Sequence, residues 1–182
     1  MKLIFIGNGE PDKDYSDLIN PEDLIIRSNK IDHFDSGLIG DRTDIMTIAG
    51  NWSMRHHCYK GRISSRRMAH FKTCSSVWYI REDVNSYRHS GILRQTGLRD
   101  HDIHYIDEDE KNDILSDQKY KTPTSAYLIL KKIWKQNLFP EYEHHICCLS
   151  FYPKTAKRRH HDTTKEAVIL GRWVKEGKFK LL

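Results

Sequence analysis

The residues with the clearest chemical potential lie near the end of the sequence, in the run HDTTKE. His161 opens this run directly after a basic stretch. An imidazole titrates near neutrality, so His161 could take a proton from a hydroxyl group as a general base. Glu166 could orient that imidazole or brace the loop. The alternative is that His161, one of 11 histidines in the chain, is a surface residue at the start of a helix.

A second pair of candidates is Thr124 with Ser125, which stand where the sequence predicts the N-terminus of a helix. Free backbone amides and the helix dipole favour an anion such as phosphate at this position, and two hydroxyl groups could add hydrogen bonds. Ordinary capping of the helix explains the same two residues equally well.

A third group of polar residues follows the predicted strands. Ligands of open parallel sheets bind beyond the carboxyl ends of the strands, where glycines admit a close approach and asparagines offer donors and acceptors. This pattern predicts a nucleotide site, although each turn alone could simply favour Gly and Asn. The residues concerned are Gly7, Asn8, Gly9, Ser28, Asn29, Ser150, Phe151 and Tyr152.

Strands alternating with helices must position these residues. Apolar runs predict strands at 2–6, 23–29, 43–51, 75–80, 103–106 and 145–151, with a last strand after Gly177. Helices are expected at 15–19, at 124–136 with Thr122 as a candidate cap, and from Asp162 or Thr163 onward. The alternation predicts an α/β protein: a single Rossmann-like domain over residues 1–182, with a mostly parallel sheet flanked by helices.

Composition narrows the possible classes of protein. With 182 residues, a formal net charge of +5 and a mean hydropathy of -0.70, the chain is expected to be soluble and globular. No apolar run approaches the roughly 20 residues of a membrane span, so we expect a cytoplasmic protein. The four cysteines, at 58, 74, 147 and 148, are interpreted as reduced and structural. Charges alternate along the chain, which favours a small phosphate-bearing ligand over nucleic acid.

Several common motifs are absent from the sequence. There is no complete G-x-G-x-x-G fingerprint for a dinucleotide, no G-x-x-x-x-G-K-[ST] phosphate loop and no G-x-S-x-G nucleophile turn. The adjacent histidine pairs lack the i, i+4 spacing with which a helix chelates zinc. We therefore expect no metal and no cofactor.

The order of three blocks resembles the sialyltransferases of glycosyltransferase family 29. IGNGEP, LIIRSNKID and GDRTDI are similar to that family's large motif, KTPTSAYLIL with ICCLSFY to its small motif, and HDTTKE to its very small motif, His-x4-Glu. Together the blocks cover roughly residues 3–45, 121–152 and 161–182.

This resemblance implies a GT-A-like domain that binds a CMP-sugar and transfers the sugar with inversion and without a metal. Asn8 and Asn29 match asparagines that contact the cytidine nucleotide, and Thr124 and Ser125 match hydroxyls near its ribose and phosphate. His161 matches the catalytic base. Tyr152 is also similar to a donor-phosphate tyrosine of the bacterial sialyltransferases of family 42.

The sequence departs from the family 29 pattern at two places. Ala126 replaces the glycine of the small motif, and the segment between Tyr152 and His161 is too short for the family's separate histidine-aromatic motif. Support of the departing phosphate would then fall to Tyr152, His160 or the cations Lys157, Arg158 and Arg159.

The leading interpretation is an enzyme that transfers sialic acid or Kdo from CMP to a hydroxyl of a surface glycan. Its partners would be CMP-sialic acid or CMP-Kdo and the glycan acceptor. Peripheral contact with the inner membrane face is compatible with the charge. The alternatives are a nucleotide- or glycan-binding module that has lost efficient transfer, and a hydrolase that passes the sugar to water.

Overall fold

The computed structural model describes residues 1–81, 86–117, 123–149 and 163–182. These residues form seven strands: β1 (Lys2–Ile6), β2 (Leu24–Ser28), β3 (Ile45–Ala49), β4 (Ser76–Ile80), β5 (Asp102–Ile106), β6 (Glu143–Cys147) and β7 (Lys180–Leu181). The α-helices are α1 (Trp52–Tyr59), α2 (Ser65–Phe71), α3 (Ser86–Thr96), α4 (Glu108–Leu115), α5 (Ser125–Lys135) and α6 (Thr163–Lys175).

All the strands belong to one sheet with the order β5-β4-β3-β2-β1-β6-β7, and every pairing is parallel. The chain winds outward from β1 to β5 and then returns to place β6 on the other side of β1. The carboxyl ends of β1 and β6 therefore flank a topological switch point, which is where open sheets of this kind form a crevice. The fold class predicted from the sequence, an α/β domain with a mostly parallel sheet, is confirmed.

Both faces of the sheet are buried, as parallel sheets require. In β1, Leu3 and Phe5 point to the face covered by α5 and α6, while Ile4 and Ile6 point to the opposite face. On that opposite face, α1, α2 and α3 pack against β3 and β4 around Met46. The described residues contain no helix that is both long and apolar enough to cross a membrane.

The helix predicted at 124–136 and the stop predicted at Gly177 are both present. Thr124, rather than Thr122, caps α5: its Oγ1 accepts a hydrogen bond of 3.2 Å from the backbone N–H of Tyr127. Beyond α6, Gly177 has a φ of 73° and the N–H of Lys178 reaches back 2.9 Å to the carbonyl of Trp173. Only glycine adopts this left-handed turn without strain, which ends the helix.

Two elements differ from the sequence predictions. The helix expected at 15–19 is only a single 3₁₀ turn, Ser16–Leu18, because the Asp14 carboxylate accepts hydrogen bonds from the backbone N–H and hydroxyl of Ser16 and so competes with a helix. The strand expected at 145–151 ends at Cys147, since Cys148 has a left-handed φ of 52°. Residues 150–151 lie outside the described residues.

Candidate functional site

A cavity of about 460 Å³ opens at the carboxyl ends of β1, β2 and β3. Its volume lies within the range of small-molecule sites, roughly 300 to 1,000 Å³. Turns after the three strands, the N-termini of α1 and α5 and the start of α6 build its walls. The lining residues are Gly7, Asn8, Ser28, Asn29, Lys30, Asp32, Ala49, Asn51, Ser53, Met54, His57, Thr124, Ser125, Ala126, Leu149 and Thr163.

The turn after β1 is fixed by its contact with the chain that follows β6. The N–H of Gly7 donates to the Cys147 carbonyl over 3.0 Å, and the N–H of Gly9 donates to the Cys148 carbonyl over 2.6 Å. A Cβ on Gly7 would lie only 2.3 Å from the Cys148 carbonyl oxygen. At Gly7, glycine is therefore required by the close approach of the protein's own backbone.

Asn8 links the first two turns of the site. Its Nδ2 donates to Ser28 Oγ over 3.3 Å, and its Oδ1 accepts from the backbone N–H of Asp32 over 3.0 Å. Both ends of the amide are thus engaged by protein. The side chain lies at the cavity, and its rigid placement sets the shape of the wall.

Asn29 lies at the end of β2 with a left-handed φ of 51°, a conformation that asparagine tolerates better than most residues. Its Oδ1 accepts a hydrogen bond of 2.8 Å from the N–H of Ala49. Within the described residues, its Nδ2 has no hydrogen-bond acceptor. Asn29 therefore brings an oriented amide donor to the cavity.

The N-terminus of α5 is held from outside the helix. Glu166, on α6, is fully buried and accepts from the backbone N–H of Thr124 over 2.7 Å and from its Oγ1 over 2.6 Å. The Thr124 hydroxyl is thus engaged both as a donor and as the helix cap. The N–H groups of Ser125 and Ala126, whose residues line the cavity, have no acceptor within the helix. These amides and the Ser125 hydroxyl are the candidate anion-binding position.

Helix α1 supplies the opposite wall. Asn51 follows β3 and caps α1, its Oδ1 accepting from the N–H of Met54 over 2.8 Å. Ser53 and His57 lie one helical turn apart and both face the cavity. Burial, reinforced by the positive charges of Lys30 and Arg62, lowers the pKa of the His57 imidazole. The imidazole is neutral at pH 7 and can accept or donate a hydrogen bond.

Lys30 and Asp32 form the charged corner of the cavity. Their side chains make an ion pair of 3.0 Å, and Asp32 also pairs with Arg67 on α2 over 3.1 Å. Arg67 Nη1 donates to the Lys30 carbonyl as well. This network ties α2 to the turn after β2 and offsets the charge of Lys30.

The structure brings six of the sequence-predicted site residues to one cavity: Gly7, Asn8, Ser28, Asn29, Thr124 and Ser125. Among the described residues, Gly9 and Glu166 do not line it: Gly9 binds the Cys148 carbonyl and Glu166 lies behind Thr124. The remaining predicted residues lie outside the described residues. They are Ser150, Phe151, Tyr152, Lys157, Arg158, Arg159, His160 and His161.

Sequence reasoning missed the α1 wall and the charged corner. Segment 51–74 has no clear apolar periodicity, so the sequence does not predict where its helices begin and end. A usable signal is nevertheless present, because Asn51 stands at the end of a predicted strand, as Asn29 does. The strand-end rule that selected the other asparagines also selects this one.

Within the described ranges, no group of three or more His, Cys, Asp or Glu side chains is arranged to hold a metal ion. The four cysteines are free thiols, and three of them are buried. Chemically, the cavity offers amide donors, a helix N-terminus and a neutral imidazole. These groups suit a ligand that combines a polar ring system with an anion.

The fold is similar to that of solved sialyltransferases. An α-2,3-sialyltransferase from Campylobacter jejuni in apo form matches with a TM-score of 0.58 and 13% identity, over 100% of this chain and 75% of that chain. The monofunctional α-2,3-sialyltransferase Cst-I from Campylobacter jejuni matches with a TM-score of 0.55 and 9% identity, over 100% of this chain and 76% of that chain. The sialyltransferase CST-II in complex with a trisaccharide acceptor and CMP matches with a TM-score of 0.54 and 14% identity, over 100% of this chain and 79% of that chain.

No family model matches the chain, and neither does any curated protein. The structural similarity shows the fold alone, a GT-A-like α/β fold with a parallel sheet. The assignment to family 29 is not confirmed by these comparisons.

Proposed function

We propose that the chain is a glycosyltransferase that uses a CMP-sugar donor. The observation that carries this proposal is the cavity at the topological switch point, which collects Asn8, Asn29 and the N-terminus of α5 in a fold similar to that of sialyltransferases. One of those proteins was crystallised with CMP and a trisaccharide acceptor. Of the two families that the sequence resembles, the fold comparison favours the bacterial sialyltransferases of family 42.

In this proposal the CMP phosphate binds at the N-terminus of α5. The free N–H groups of Ser125 and Ala126 and the Ser125 hydroxyl are aimed at it, and the helix dipole favours its negative charge. The Asn29 amide donor, with its oxygen fixed by Ala49, is suited to an acceptor atom of the base or ribose. Asn8 acts indirectly, because its amide is engaged by Ser28 and Asp32.

The proposed reaction is a single inverting displacement. The acceptor hydroxyl oxygen forms a bond to the anomeric carbon as the bond from that carbon to the CMP phosphate oxygen breaks, and the bonding electrons leave with CMP. The hydroxyl proton passes to His161, the base proposed from the sequence. Helix amides stabilise the departing phosphate, helped by Tyr152, His160, Arg158 and Arg159, so the mechanism needs no metal.

The donor sugar is proposed to be acidic, either sialic acid or Kdo, because both are carried by CMP. The acceptor is a hydroxyl of a surface glycan. Support for a sugar acceptor comes from the trisaccharide bound by the structural neighbour.

The nucleotide part of the proposal is tested by thermal-shift titration with CMP beside AMP, GMP and UMP. At 100 times its Kd a ligand adds about 2.7 kcal/mol, which at this size raises the Tm by roughly 5 to 10 °C. We expect this shift with CMP alone. Equal shifts with all four nucleotides, or none at millimolar concentration, would contradict a CMP-sugar enzyme.

The transfer part is tested with CMP-sialic acid, CMP-Kdo and an acceptor panel. His161→Ala should abolish transfer and leave the CMP-induced shift in Tm intact. Loss of both would assign His161 a binding or structural role instead of a catalytic one.

A second candidate, a CMP-binding module without efficient transfer, is favoured by one observation. Ala126, in place of the small-motif glycine, lines the cavity at the anion-binding position, where its methyl group takes up room. Selective CMP binding without turnover across the panel would identify this module. Free sugar released at equal rates with and without acceptor would identify a CMP-sugar hydrolase.

A further inference from the structure

Basic and acidic residues are concentrated in separate segments of this protein, although their signs alternate over the sequence as a whole. No Asp or Glu occurs between Asp44 and Glu82, and this segment holds seven cations: Arg55, Lys60, Arg62, Arg66, Arg67, Lys72 and Arg81. In contrast, residues 100–117, which include β5 and α4, hold eight acidic residues and a single lysine. The acid-free segment runs through α1, α2 and the turn between them.

This basic segment borders the cavity at two points. At the first, the N–H of Arg62 donates to the carbonyl of His57, a cavity residue, over 3.1 Å. At the second, Arg67 is bound to the Lys30 carbonyl and the Asp32 carboxylate, which belong to the charged corner. The α1–α2 surface is thus continuous with the rim of the cavity.

Most cations of this surface have no carboxylate to neutralise them. Lys60, Arg62 and Arg66 are exposed, and none of them forms an ion pair with any residue that the structure describes. Arg66 lies over the ring of Phe34, 5.4 Å from its centroid. Arg67 differs, because it pairs with Asp32 and Asp35. We name the three unpaired residues, Lys60, Arg62 and Arg66, the basic rim.

An aromatic side chain accompanies the basic rim. Tyr59, at the end of α1, is 48% exposed although it is a large hydrophobic residue. The Arg55 guanidinium lies over its ring at 5.2 Å, which keeps the ring oriented. An exposed ring beside cations offers a stacking face for a sugar next to partners for an anion.

We propose that the basic rim and Tyr59 form the acceptor subsite, and that the acceptor is an anionic glycan bearing phosphate or carboxylate groups. This inference rests on the proposed function, since it names the substrate class of the same site. Clustered cations beside a cleft raise the local concentration of an anionic substrate and speed its encounter. A glycan is favoured over nucleic acid because the rim leads into the cavity where the sugar is transferred.

The test compares acceptors that share one oligosaccharide core and differ in a single group: neutral, carboxylated or phosphorylated. The variant is K60Q/R62Q/R66Q, which changes three exposed residues. Its matched control is R172Q/K175Q, which removes exposed cations from α6, away from the cavity lining. Both proteins should show the wild-type Tm and the wild-type shift with CMP.

For the basic-rim variant we expect the KM of the charged acceptors to rise about tenfold. The KM of the neutral acceptor and the kcat with every acceptor should change little. The control should match the wild type. Added salt should raise KM for charged acceptors of the wild type more than for those of the variant. A preference for the carboxylated or the phosphorylated acceptor identifies the anion. Equal KM increases for neutral and charged acceptors, or none, would overturn the proposal.

Direct binding separates a failure of this inference from a failure of the proposed function. Calorimetry without CMP, and again with saturating CMP, should show the phosphorylated or carboxylated oligosaccharide binding more tightly to the wild type than to the variant, whether or not transfer occurs. Absence of CMP binding would contradict the proposed function, while this comparison would still report on the rim. Tighter binding of a single-stranded oligonucleotide than of any glycan would overturn the glycan assignment.

Discussion

The buried carboxylate of Glu166 on α6 accepts two hydrogen bonds from Thr124, one from its backbone N–H at 2.7 Å and one from its hydroxyl at 2.6 Å. The same hydroxyl caps α5. The position of the α5 N-terminus, and with it that of the Ser125 and Ala126 amides, therefore depends on α6. Glu166 of the His-x4-Glu block thus acts on the cavity indirectly, by holding the N-terminus of the helix that lines it.

Replacing Glu166 by Gln should destabilise the protein by about 1 to 3 kcal/mol, because the amide accepts through one atom only and leaves a buried donor unsatisfied. CMP affinity should fall as well, since the α5 amides lose their brace. Urea denaturation and the CMP titration measure the two effects. Thr124→Ser and Thr124→Ala form a matched pair. Thr124→Ser keeps the hydroxyl that caps α5 and donates to Glu166, so its stability and CMP affinity should match those of the wild type. Thr124→Ala removes this hydroxyl and should lower both, as Glu166→Gln does.

Replacing Gly7 by Ala should displace the turn after β1, because the new Cβ would lie 2.3 Å from the Cys148 carbonyl oxygen. We expect a lower Tm and weaker CMP binding. Gly171→Ala is the control: Gly171 lies in α6 with nothing within 4 Å of a Cβ, and alanine should stabilise the helix by about 0.5 to 1 kcal/mol. A Gly7→Ala protein with wild-type stability and affinity would show that the turn can relax freely.

Asn29→Asp should fold normally and lose CMP binding. The carboxylate can still accept the hydrogen bond from Ala49, but it lacks the amide donor and repels an anionic ligand. The matched control is Asn137→Asp, the same change at an exposed asparagine of similar left-handed conformation, φ 48°, beyond the other end of α5. Thermal shift with CMP checks both variants, and retained affinity in Asn29→Asp would exclude the amide from nucleotide recognition.

His70 should make stability sensitive to mild acid. Burial, together with the positive Arg27 guanidinium, lowers the pKa of His70 to about 4. Its ring stacks on Phe34 at 4.1 Å and its Nε2 lies 2.6 Å from Thr43 Oγ1. In the unfolded chain His70 takes up a proton near pH 6.5, whereas in the folded chain it does so only near pH 4. The stability that the neutral, buried His70 contributes is therefore fully present above pH 6.5 and is lost as the pH falls toward 4.

The measurement for His70 is Tm against pH from 7.5 to about 4 for the wild type and His70→Gln. The variant cannot titrate at this position, so the stability gap between the two proteins should narrow as the pH falls. A gap that stays constant across this range would show that His70 takes up its proton equally in the folded and unfolded chains.

The sequence identifies those parts of the fold whose determinants are local. β1, α5 and the stop at Gly177 follow from short apolar runs, helical spacing and a glycine, and all are present as expected. The connection after β1 cannot be predicted in this way, because the hydrogen bonds that Ser16 donates to the Asp14 carboxylate replace a helix that the local spacing allows. Competition between side-chain and backbone hydrogen bonds is decided in three dimensions.

The residues of the candidate site fall into the same two groups, those that local sequence signals predict and those that depend on contacts distant in sequence. Asn8, Asn29, Thr124 and Ser125 were selected because strand ends and a helix start are visible in the sequence. His57 and the basic rim were not, since α1 and α2 are polar helices without a clear apolar stripe. Their placement beside the cavity depends on how Arg67 anchors α2 to Asp32, a pairing between residues distant in sequence.

The central position of β1 has a consequence for the order in which the protein forms. β1 pairs on one side with β2 and on the other with β6, which begins only at Glu143, and the cavity draws its walls from both ends of the chain. Contacts between residues so distant in sequence form slowly, and a chain emerging from the ribosome cannot form them until β6 has been made. The nascent chain will therefore carry an unpaired apolar edge on β1 until β6 has been made, and the cavity cannot form before that point.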